Sequence, residues 1–99
     1  MKVVYLSGKI TDTNNLKVFR NIFVAWKCAK KLSKQGLAVV CPHTNGVGFG
    51  LTHKQYMERD FALLERCDVI YMMKNWKTSK GAKMELKYAK KLGLEIKFL

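Results

Sequence analysis

The sequence is poor in acidic residues and in long apolar segments, and each shortage narrows the class of protein. Seven acidic residues face nineteen basic ones, which gives the 99-residue chain a formal net charge of +12. This charge favours an anionic partner, although lysines on solvated helix faces would account for most of it. No apolar run approaches membrane-spanning length, and the N-terminal segment is too short and interrupted for a signal peptide, so we expect a cytoplasmic protein.

Cysteine and histidine are also scarce. Cys28, Cys41 and Cys67 form no CxxC pair and no ligand spacing with His43 or His53. This argues against a structural zinc site, and an odd cysteine count without a secretory signal predicts reduced thiols. The chain also lacks a dinucleotide-binding fingerprint and a P-loop, so we expect neither a metal nor another cofactor.

Four short apolar segments alternate with three helical patterns. The segments lack polar alternation, as strands buried on both faces do, and cover residues 2–7, 37–42, 68–73 and 95–99. The helical patterns cover residues 16–34, 52–67 and 79–93, the second opening on a capping box at Thr52. This alternation predicts a single α/β domain over residues 1–99. We expect a flavodoxin-like or Rossmann-like three-layer sandwich with a four-stranded parallel sheet in the order 2-1-3-4.

The first helical pattern carries many of the chain's large apolar side chains. Spacings of three and four residues predict a buried face on this helix, and Gly36 follows as its end signal. The predicted inward residues are Leu16, Phe19, Ile22, Phe23, Trp26 and Leu32.

A glutamate interrupts the apolar face of the third helical pattern. The inward positions are Ala82, Leu86, Ala89 and Leu92, and Glu85 lies three residues after the first and four before the third. A carboxylate on an inward face loses hydration unless something pairs with it, so Glu85 indicates a ligand or a reaction. The open alternative is a boundary residue whose carboxylate reaches water or a lysine.

The second helical pattern carries a similar interruption. Asp60 lies three residues after Met57 and four before Leu64, so it also leans inward. Two inward carboxylates beside one sheet edge point to paired acid and base roles. Asp68 opens the third strand at the opposite end of the sheet, and we expect it to bind backbone amides there.

In parallel sheets of this kind, ligands bind beyond the carboxyl ends of the strands, where the strand order reverses. These ends are expected to supply Ser7-Gly8-Lys9, Pro42-His43-Thr44 and Lys74-Asn75-Trp76. Gly8 permits close backbone approach to a ligand, and Lys9 is placed to meet a phosphate. Trp76 is expected either to form an apolar wall for a planar base or to belong to the core.

Two further features adjoin this edge. Ser79 opens the third helical pattern, where backbone N–H groups and the helix dipole favour a phosphate, or where its hydroxyl simply caps the helix. The glycine-rich segment at residues 45–50 is either a flap over the site or a plain surface loop.

Three groups of residues, in order along the chain, resemble the motifs of the nucleoside 2-deoxyribosyltransferase-like superfamily. They are Tyr5-Leu6-Ser7-Gly8 with Ile10; Tyr56, Asp60 and Leu64 with Cys67-Asp68; and Trp76, Ser79, Gly81-Ala82 and Glu85 with Ala89. The ordered set covers nearly the whole chain, and its similarity is closest to small bacterial and phage members.

The resemblance implies chemistry at an N-glycosidic bond. In enzymes of the superfamily, a glutamate at the position of Glu85 attacks the anomeric carbon of a 2-deoxynucleoside or its 5′-monophosphate. A tyrosine at the position of Tyr5 orients it, and an aspartate at the position of Asp60 helps to protonate the departing base. The glycosyl-enzyme then passes to another base or to water.

The resemblance also implies a set of substrate contacts and a homo-oligomer, since relatives pack as dimers or larger rings. The implied substrate-binding residues are Ser7, Gly8, Lys9, Ile10, Ser79, Gly81 and Trp76. A serine at the position of Ser79 is typical of the deoxynucleotide hydrolase branch, whereas transferases carry aspartate there, so a phosphorylated substrate is favoured.

Three functions therefore stand as hypotheses. The first is an enzyme that cleaves or exchanges the N-glycosidic bond of a deoxynucleotide through Glu85. The second is a non-catalytic protein that binds or sequesters a small-molecule nucleotide. The third, ranked last because the lysines lack interleaved aromatic and arginine residues, is a basic nucleic-acid-associated protein.

Overall fold

The computed structural model describes residues 1–42 and 49–99. It consists of a parallel sheet with helices on both faces. The elements are β1 (Val3–Ser7), α1 (Asn15–Lys34), β2 (Ala38–Val40), α2 (His53–Leu64), β3 (Val69–Met72), α3 (Lys80–Leu92) and β4 (Glu95–Phe98). All strand pairs are parallel and the order is β2-β1-β3-β4, which confirms the predicted sheet. Within the described ranges, no helix is long and apolar enough to cross a membrane.

Part of the predicted ligand-binding edge lies outside the described residues. His43 and Thr44, expected at the end of the second strand, are in the undescribed stretch 43–48. The same holds for most of the glycine-rich segment expected as a flap, of which only Phe49 and Gly50 are described.

The central strand β1 is buried on both faces, so its alternate side chains enter two separate cores. Tyr5 is fully buried in the core beneath α2 and α3, together with Leu64, Ile70 and Leu86. Leu6, its neighbour in sequence, belongs to the second core beneath α1. Because residues two apart on a strand share a face, Ser7 lies on the same side as Tyr5. This arrangement directs Tyr5 and Ser7 toward α3.

Local capping signals set the helix ends as the sequence predicted. Thr52 and Gln55 form the reciprocal capping box of α2, and Ser79 caps α3 by accepting a hydrogen bond from the backbone N–H of Ala82 at 3.1 Å. Gly93 ends α3 in the left-handed conformation, with φ of 76°, which favours glycine. At the opposite end of the sheet, Asp68 accepts a hydrogen bond from the Val3 backbone N–H at 2.8 Å, as expected for that residue.

The predicted inward face of α1 is largely wrong. Leu16, Phe19, Phe23 and Trp26 are exposed, while the helix packs on the sheet through Ala25 and Leu32, which are buried, and through half-buried Cys28 and Ala29. Small side chains bring the helix close to the sheet, and the larger ones, a quarter to a half turn away around the helix, are left on the surface. On α3, Leu92 was also predicted to face inward and is instead exposed.

Candidate active site at the carboxyl edge of the sheet

A cavity of about 320 Å³ lies at the carboxyl end of β1, between α2 and the first turns of α3. This volume is at the lower end of the range for small-molecule sites. The residues that matter for chemistry come from three segments: Gly8, Ile10 and Thr11 after β1; Tyr56, Arg59 and Asp60 on α2; Ser79, Gly81 and Glu85 on α3.

Glu85 is buried at the base of this cavity and is held from the side of the sheet. Only 6% of its surface is exposed. The Ser7 hydroxyl donates a hydrogen bond to its Oε1 at 2.7 Å, and the Tyr5 hydroxyl donates one to its Oε2. Two hydroxyl donors from one face of β1 therefore fix the carboxylate against the strand, so a boundary residue reaching water or a lysine does not describe Glu85.

Asp60 reaches the same point from α2. It is 7% exposed and its Oδ1 lies 3.1 Å from the Arg59 guanidinium. Its carboxyl group is close enough to that of Glu85 for each to influence the pKa of the other. Two neighbouring buried carboxyl groups cannot both be ionised cheaply, so their titrations are linked.

The pKa values of these groups follow from burial opposed by specific partners. Burial raises the pKa of Glu85, the hydrogen bonds from Tyr5 and Ser7 lower it, and the nearby Asp60 raises it again. Burial also raises the pKa of Asp60, against the lowering effect of Arg59. The pKa of Tyr5 rises well above its ordinary value, because burial and Glu85 both disfavour the phenolate. Tyr5 is therefore a permanent hydrogen-bond donor to Glu85.

The first turn of α3 forms the opposite wall of the cavity. Ser79 and Gly81 line it, and the Ser79 hydroxyl serves as the helix N-cap. N–H groups in the first turn of a helix have no acceptor within the helix, and the helix dipole adds positive potential there. This wall suits an anionic group, which is the property expected for Ser79 as a phosphate seat.

Gly8 lines the cavity and also allows the loops after β1 and β3 to approach each other. A Cβ atom at this position would lie 2.2 Å from Cε of Met73 and 2.9 Å from Oδ1 of Asn75. The Asn75 side chain accepts a hydrogen bond from the Lys9 backbone N–H at 3.0 Å, which ties the two loops together. The close backbone approach expected at Gly8 is therefore made to the neighbouring loop.

Three of the expected substrate-binding residues do not line the cavity. Ser7 is 1% exposed and lies behind Glu85. The Lys9 ammonium group stands 3.5 Å from Asp12, and the Trp76 ring packs on Phe98 with ring centroids 5.6 Å apart. Of the two readings of Trp76, the packing favours membership of the core.

Arg59, Tyr56 and His53 also line the cavity, and sequence reasoning did not assign them to the site. The Arg59 guanidinium lies over the Tyr56 ring at 5.2 Å while pairing with Asp60. A signal was present, since Arg59 adjoins Asp60 and follows Tyr56 by three residues on one helix, where side chains meet. His53 is exposed at the cavity wall.

Within residues 1–42 and 49–99, no group of three or more histidine, cysteine, aspartate or glutamate side chains could hold a metal ion. Among the cysteines, Cys41 and Cys67 are buried in separate cores, and Cys28, on α1, is half-buried against the sheet. The site as described is thus built from carboxyl, hydroxyl and guanidinium groups.

Residues 2–98 match the model of a protein family described as a domain of unknown function, DUF4406. The chain belongs to this family. No curated protein matches it.

Among solved structures, the chain is similar to a 2-desoxiribosyltransferase from Leishmania mexicana, with a TM-score of 0.69 and 16% sequence identity. The match covers 100% of this chain and 64% of that chain, so this protein spans less than two thirds of its structural neighbour. At this identity the likeness shows the fold. It confirms, at the level of fold, the resemblance to the nucleoside 2-deoxyribosyltransferase-like superfamily.

Proposed function

We propose that the protein cleaves or exchanges the N-glycosidic bond of a 2-deoxynucleoside 5′-monophosphate or the corresponding nucleoside. The observation that carries the proposal is the carboxyl pair of Glu85 and Asp60, buried at the base of a cavity and supported by Tyr5 and Ser7. The similarity in fold to a 2-desoxiribosyltransferase supports the same chemistry.

Glu85 is the proposed nucleophile. One of its oxygens attacks the anomeric carbon of the sugar, a C–O bond forms, and the C–N bond to the base breaks with its electron pair going to the base. Tyr5 and Ser7 hold the carboxylate by donating hydrogen bonds from the side of the sheet. Because the pKa of Tyr5 is raised, it keeps its proton and stays a donor.

Asp60 is the proposed acid. The departing base needs a proton at the nitrogen that loses the sugar, and a carboxyl pair holding one proton has one group to supply it and one to act as nucleophile. In the second half of the reaction, Asp60 takes a proton from water or from an incoming base, which attacks the anomeric carbon and releases Glu85. The two carboxyl groups must part to admit the glycosidic bond, because such pairs stand about 5 Å apart in retaining enzymes.

The first turn of α3, here called the α3 wall, and the positive net charge of the chain both favour a phosphorylated substrate. Ser79, Gly81 and Ala82, at the N-terminal end of α3, line the same cavity as the carboxyl pair. A net charge of +12 adds a long-range attraction for anions. In this arrangement the 5′-phosphate binds at Ser79 and Gly81 while the anomeric carbon lies near Glu85.

A non-catalytic nucleotide-binding protein is the second candidate, and one observation favours it. Burial raises the pKa of Glu85, which works against an ionised nucleophile at neutral pH. A protein that only binds would tolerate a protonated pair, whereas an enzyme must ionise one member of it.

Incubation with deoxynucleoside monophosphates and the corresponding nucleosides tests the proposal, with the free base followed by chromatography. We expect base release that falls by at least about 10³-fold in Glu85→Gln, since this substitution removes the nucleophile. Glu58→Gln is the matched control, because Glu58 is an exposed glutamate on α2 away from the cavity. Tight binding of intact nucleotide without release of base would contradict the enzymatic function and support the nucleotide-binding protein.

A further inference from the structure

Three aromatic side chains lie exposed in a row on the outer face of α1. Phe19, Phe23 and Trp26 are separated by four and three residues and have exposed fractions of 70%, 58% and 49%. The rings of Phe23 and Trp26 are nearly parallel, with an interplanar angle of 20° and centroids 6.2 Å apart. Because residues at these spacings are neighbours on a helix surface, the three rings form one aromatic row.

The same face of α1 is cationic. The helix has six basic residues and no acidic one. The ammonium groups of Lys27 and Lys30 lie 5.7 and 5.3 Å from the ring centroids of Phe23 and Trp26. A ring with a cation beside it provides for both parts of a nucleotide, since a base stacks on the ring and a phosphate pairs with the cation. The sequence disfavours a nucleic-acid partner because aromatic residues are not expected among the surface lysines, and their exposure removes that objection.

The aromatic row begins at the edge of the candidate active site. Val18, in the first turn of α1, lines the cavity together with Ile10 and Thr11. The side-chain amide of Asn21 donates a hydrogen bond to the Ile10 carbonyl at 3.2 Å, which ties α1 to the loop at the cavity. From Val18 to Trp26 the helix advances about 12 Å. A strand that leaves the cavity on this side therefore meets the aromatic row.

Charge and position together select the partner. A face with six basic residues attracts a polyanion and repels another basic surface. An anionic lipid surface would also attract a basic helix with exposed aromatic residues, but it has no group that fits the neighbouring nucleotide cavity. Single-stranded DNA has both a terminal nucleotide for the cavity and unpaired bases for the rings, whereas the bases of a duplex are already stacked on one another.

We propose that the outer face of α1 binds single-stranded DNA and that the 5′-terminal nucleotide of this strand is the substrate in the cavity. This inference rests on the proposed function, in which the 5′-phosphate binds at the α3 wall. Helices α1 and α3 pack on opposite faces of the sheet. With its 5′-phosphate at α3, the strand leaves the cavity through its 3′ oxygen, toward α1.

The chemical step is the one proposed for the mononucleotide. An oxygen of Glu85 displaces the base, which leaves with the electron pair of the C–N bond and takes a proton from Asp60. Water then displaces Glu85 and gives a proton to Asp60. The products are the free base and a strand whose first sugar carries a hydroxyl group at the anomeric carbon.

Two alanine substitutions at adjacent positions of α1 give a matched test of the surface. Phe23→Ala removes a ring from the row, whereas Val24→Ala removes a side chain that is also exposed, at 44%, but lies outside the row. Binding is measured by fluorescence anisotropy in a Glu85→Gln background, which prevents turnover. The probe is a 5′-phosphorylated single strand of about ten nucleotides, labelled at its 3′ end, a length within the site sizes of single-strand binding proteins.

The strand is expected to bind at least about tenfold more tightly than a deoxynucleoside monophosphate, with an affinity that falls as salt rises. Phe23→Ala should weaken strand binding by at least about tenfold and Val24→Ala by less than about twofold, with binding of the monophosphate unchanged in both. Removal of the 5′-phosphate should also weaken binding of the strand. Equal weakening by the two substitutions, or indifference to the 5′-phosphate, would overturn the proposal.

Failure of this inference and failure of the proposed function are distinguishable. Base release from the monophosphate by the unmodified protein, without binding of the strand, would overturn the strand as substrate and leave the proposed function standing. Strand binding that depends on Phe23, with no base release from either compound, would overturn the proposed chemistry and the strand's role as a substrate. Binding to anionic lipid vesicles, or self-association, that depends on Phe23 in a protein that binds no strand would assign this face to lipid or to a second copy instead.

Discussion

The carboxyl pair of Glu85 and Asp60 and the outer face of α1 both break the rule that charge lies outside and large apolar groups inside, but they differ in what surrounds them. The two carboxyl groups are buried, and Tyr5, Ser7 and Arg59 hold them within the same chain. The large side chains on the outer face of α1, which are Leu16, Phe19, Phe23 and Trp26, are exposed, and lysine ammonium groups lie over the rings of the last two. The buried anomaly is therefore held by a network of specific partners, whereas the exposed one faces solvent.

The largest effect is expected when Asp60, the proposed acid of the carboxyl pair, is replaced. Asp60→Asn keeps the shape of the side chain but cannot supply a proton, so we expect kcat for base release to fall by about 10²- to 10³-fold. Substrates whose bases leave readily should be affected less than those whose bases need protonation. An equal loss for both kinds would contradict the role of Asp60 as the acid.

The next largest effect is expected from a substitution of Ser79 at the α3 wall. Ser79→Asp retains a good helix cap but places a negative charge at the proposed phosphate site. We expect kcat/KM for the monophosphate to fall by about 10- to 100-fold while that for the nucleoside changes little. Ser79→Asn, a neutral cap, is the control and should discriminate less between the two substrates. Equal losses of kcat/KM for both substrates in Ser79→Asp would contradict a phosphate site at this wall.

A smaller effect concerns the pH dependence of the pair. Arg59 lowers the pKa of Asp60, so Arg59→Gln should raise both apparent pKa values of the carboxyl pair. The pH–rate profile of kcat is then expected to move upward by roughly 1 pH unit. Arg66→Gln, on an exposed residue beyond the cavity, should leave the profile in place. An unmoved profile in Arg59→Gln would show that the pair does not control the rate.

The smallest effect is on stability. The pKa of Glu85 is raised in the folded state above its ordinary value of 4.5. The stability associated with its protonated form is therefore full below that value and is lost as pH rises through the folded pKa. Glu85→Gln cannot ionise, so its Tm should exceed that of the unmodified protein increasingly with pH. We expect a gain of about 5 °C or more near pH 9, a shift that about 1 kcal/mol produces in a domain of this size. A difference in Tm that shrinks with pH would contradict the raised pKa.

Much of the fold could be predicted because its determinants are local. Buried strands appear in the sequence as continuous apolar runs. Thr52, Ser79 and Gly93 mark helix ends through hydrogen bonds and backbone conformations that involve only neighbouring residues. The sheet order followed from the handedness and shortness of the connections.

The face of α1 could not be assigned because periodicity identifies apolar rows without saying what covers them. This helix carries two rows, one of large side chains and one that includes Ala25, Ala29 and Leu32. Side-chain size favoured the first row. Packing distance decided for the second, since small side chains let the helix approach the sheet.

The candidate site was predictable in part for a similar reason. Glu85 and Asp60 stood out because each interrupts an apolar row within its own helix. The roles of Ser7 and Arg59 as their partners were not predictable in the same way. Ser7 contacts Glu85 across 78 positions of sequence. Arg59 had a local signal in its spacing from Tyr56 and its place beside Asp60, but this signal does not separate it clearly from the other basic residues, of which the chain has nineteen in all.

The most direct test of the central claim is the mass of the protein quenched with acid during turnover of a deoxynucleoside monophosphate. The account predicts a covalent deoxyribosyl phosphate adduct, located by peptide mapping on Glu85, and its absence in Glu85→Gln. Base release with no adduct, or with an adduct on another residue, would contradict the assignment of Glu85 as the nucleophile.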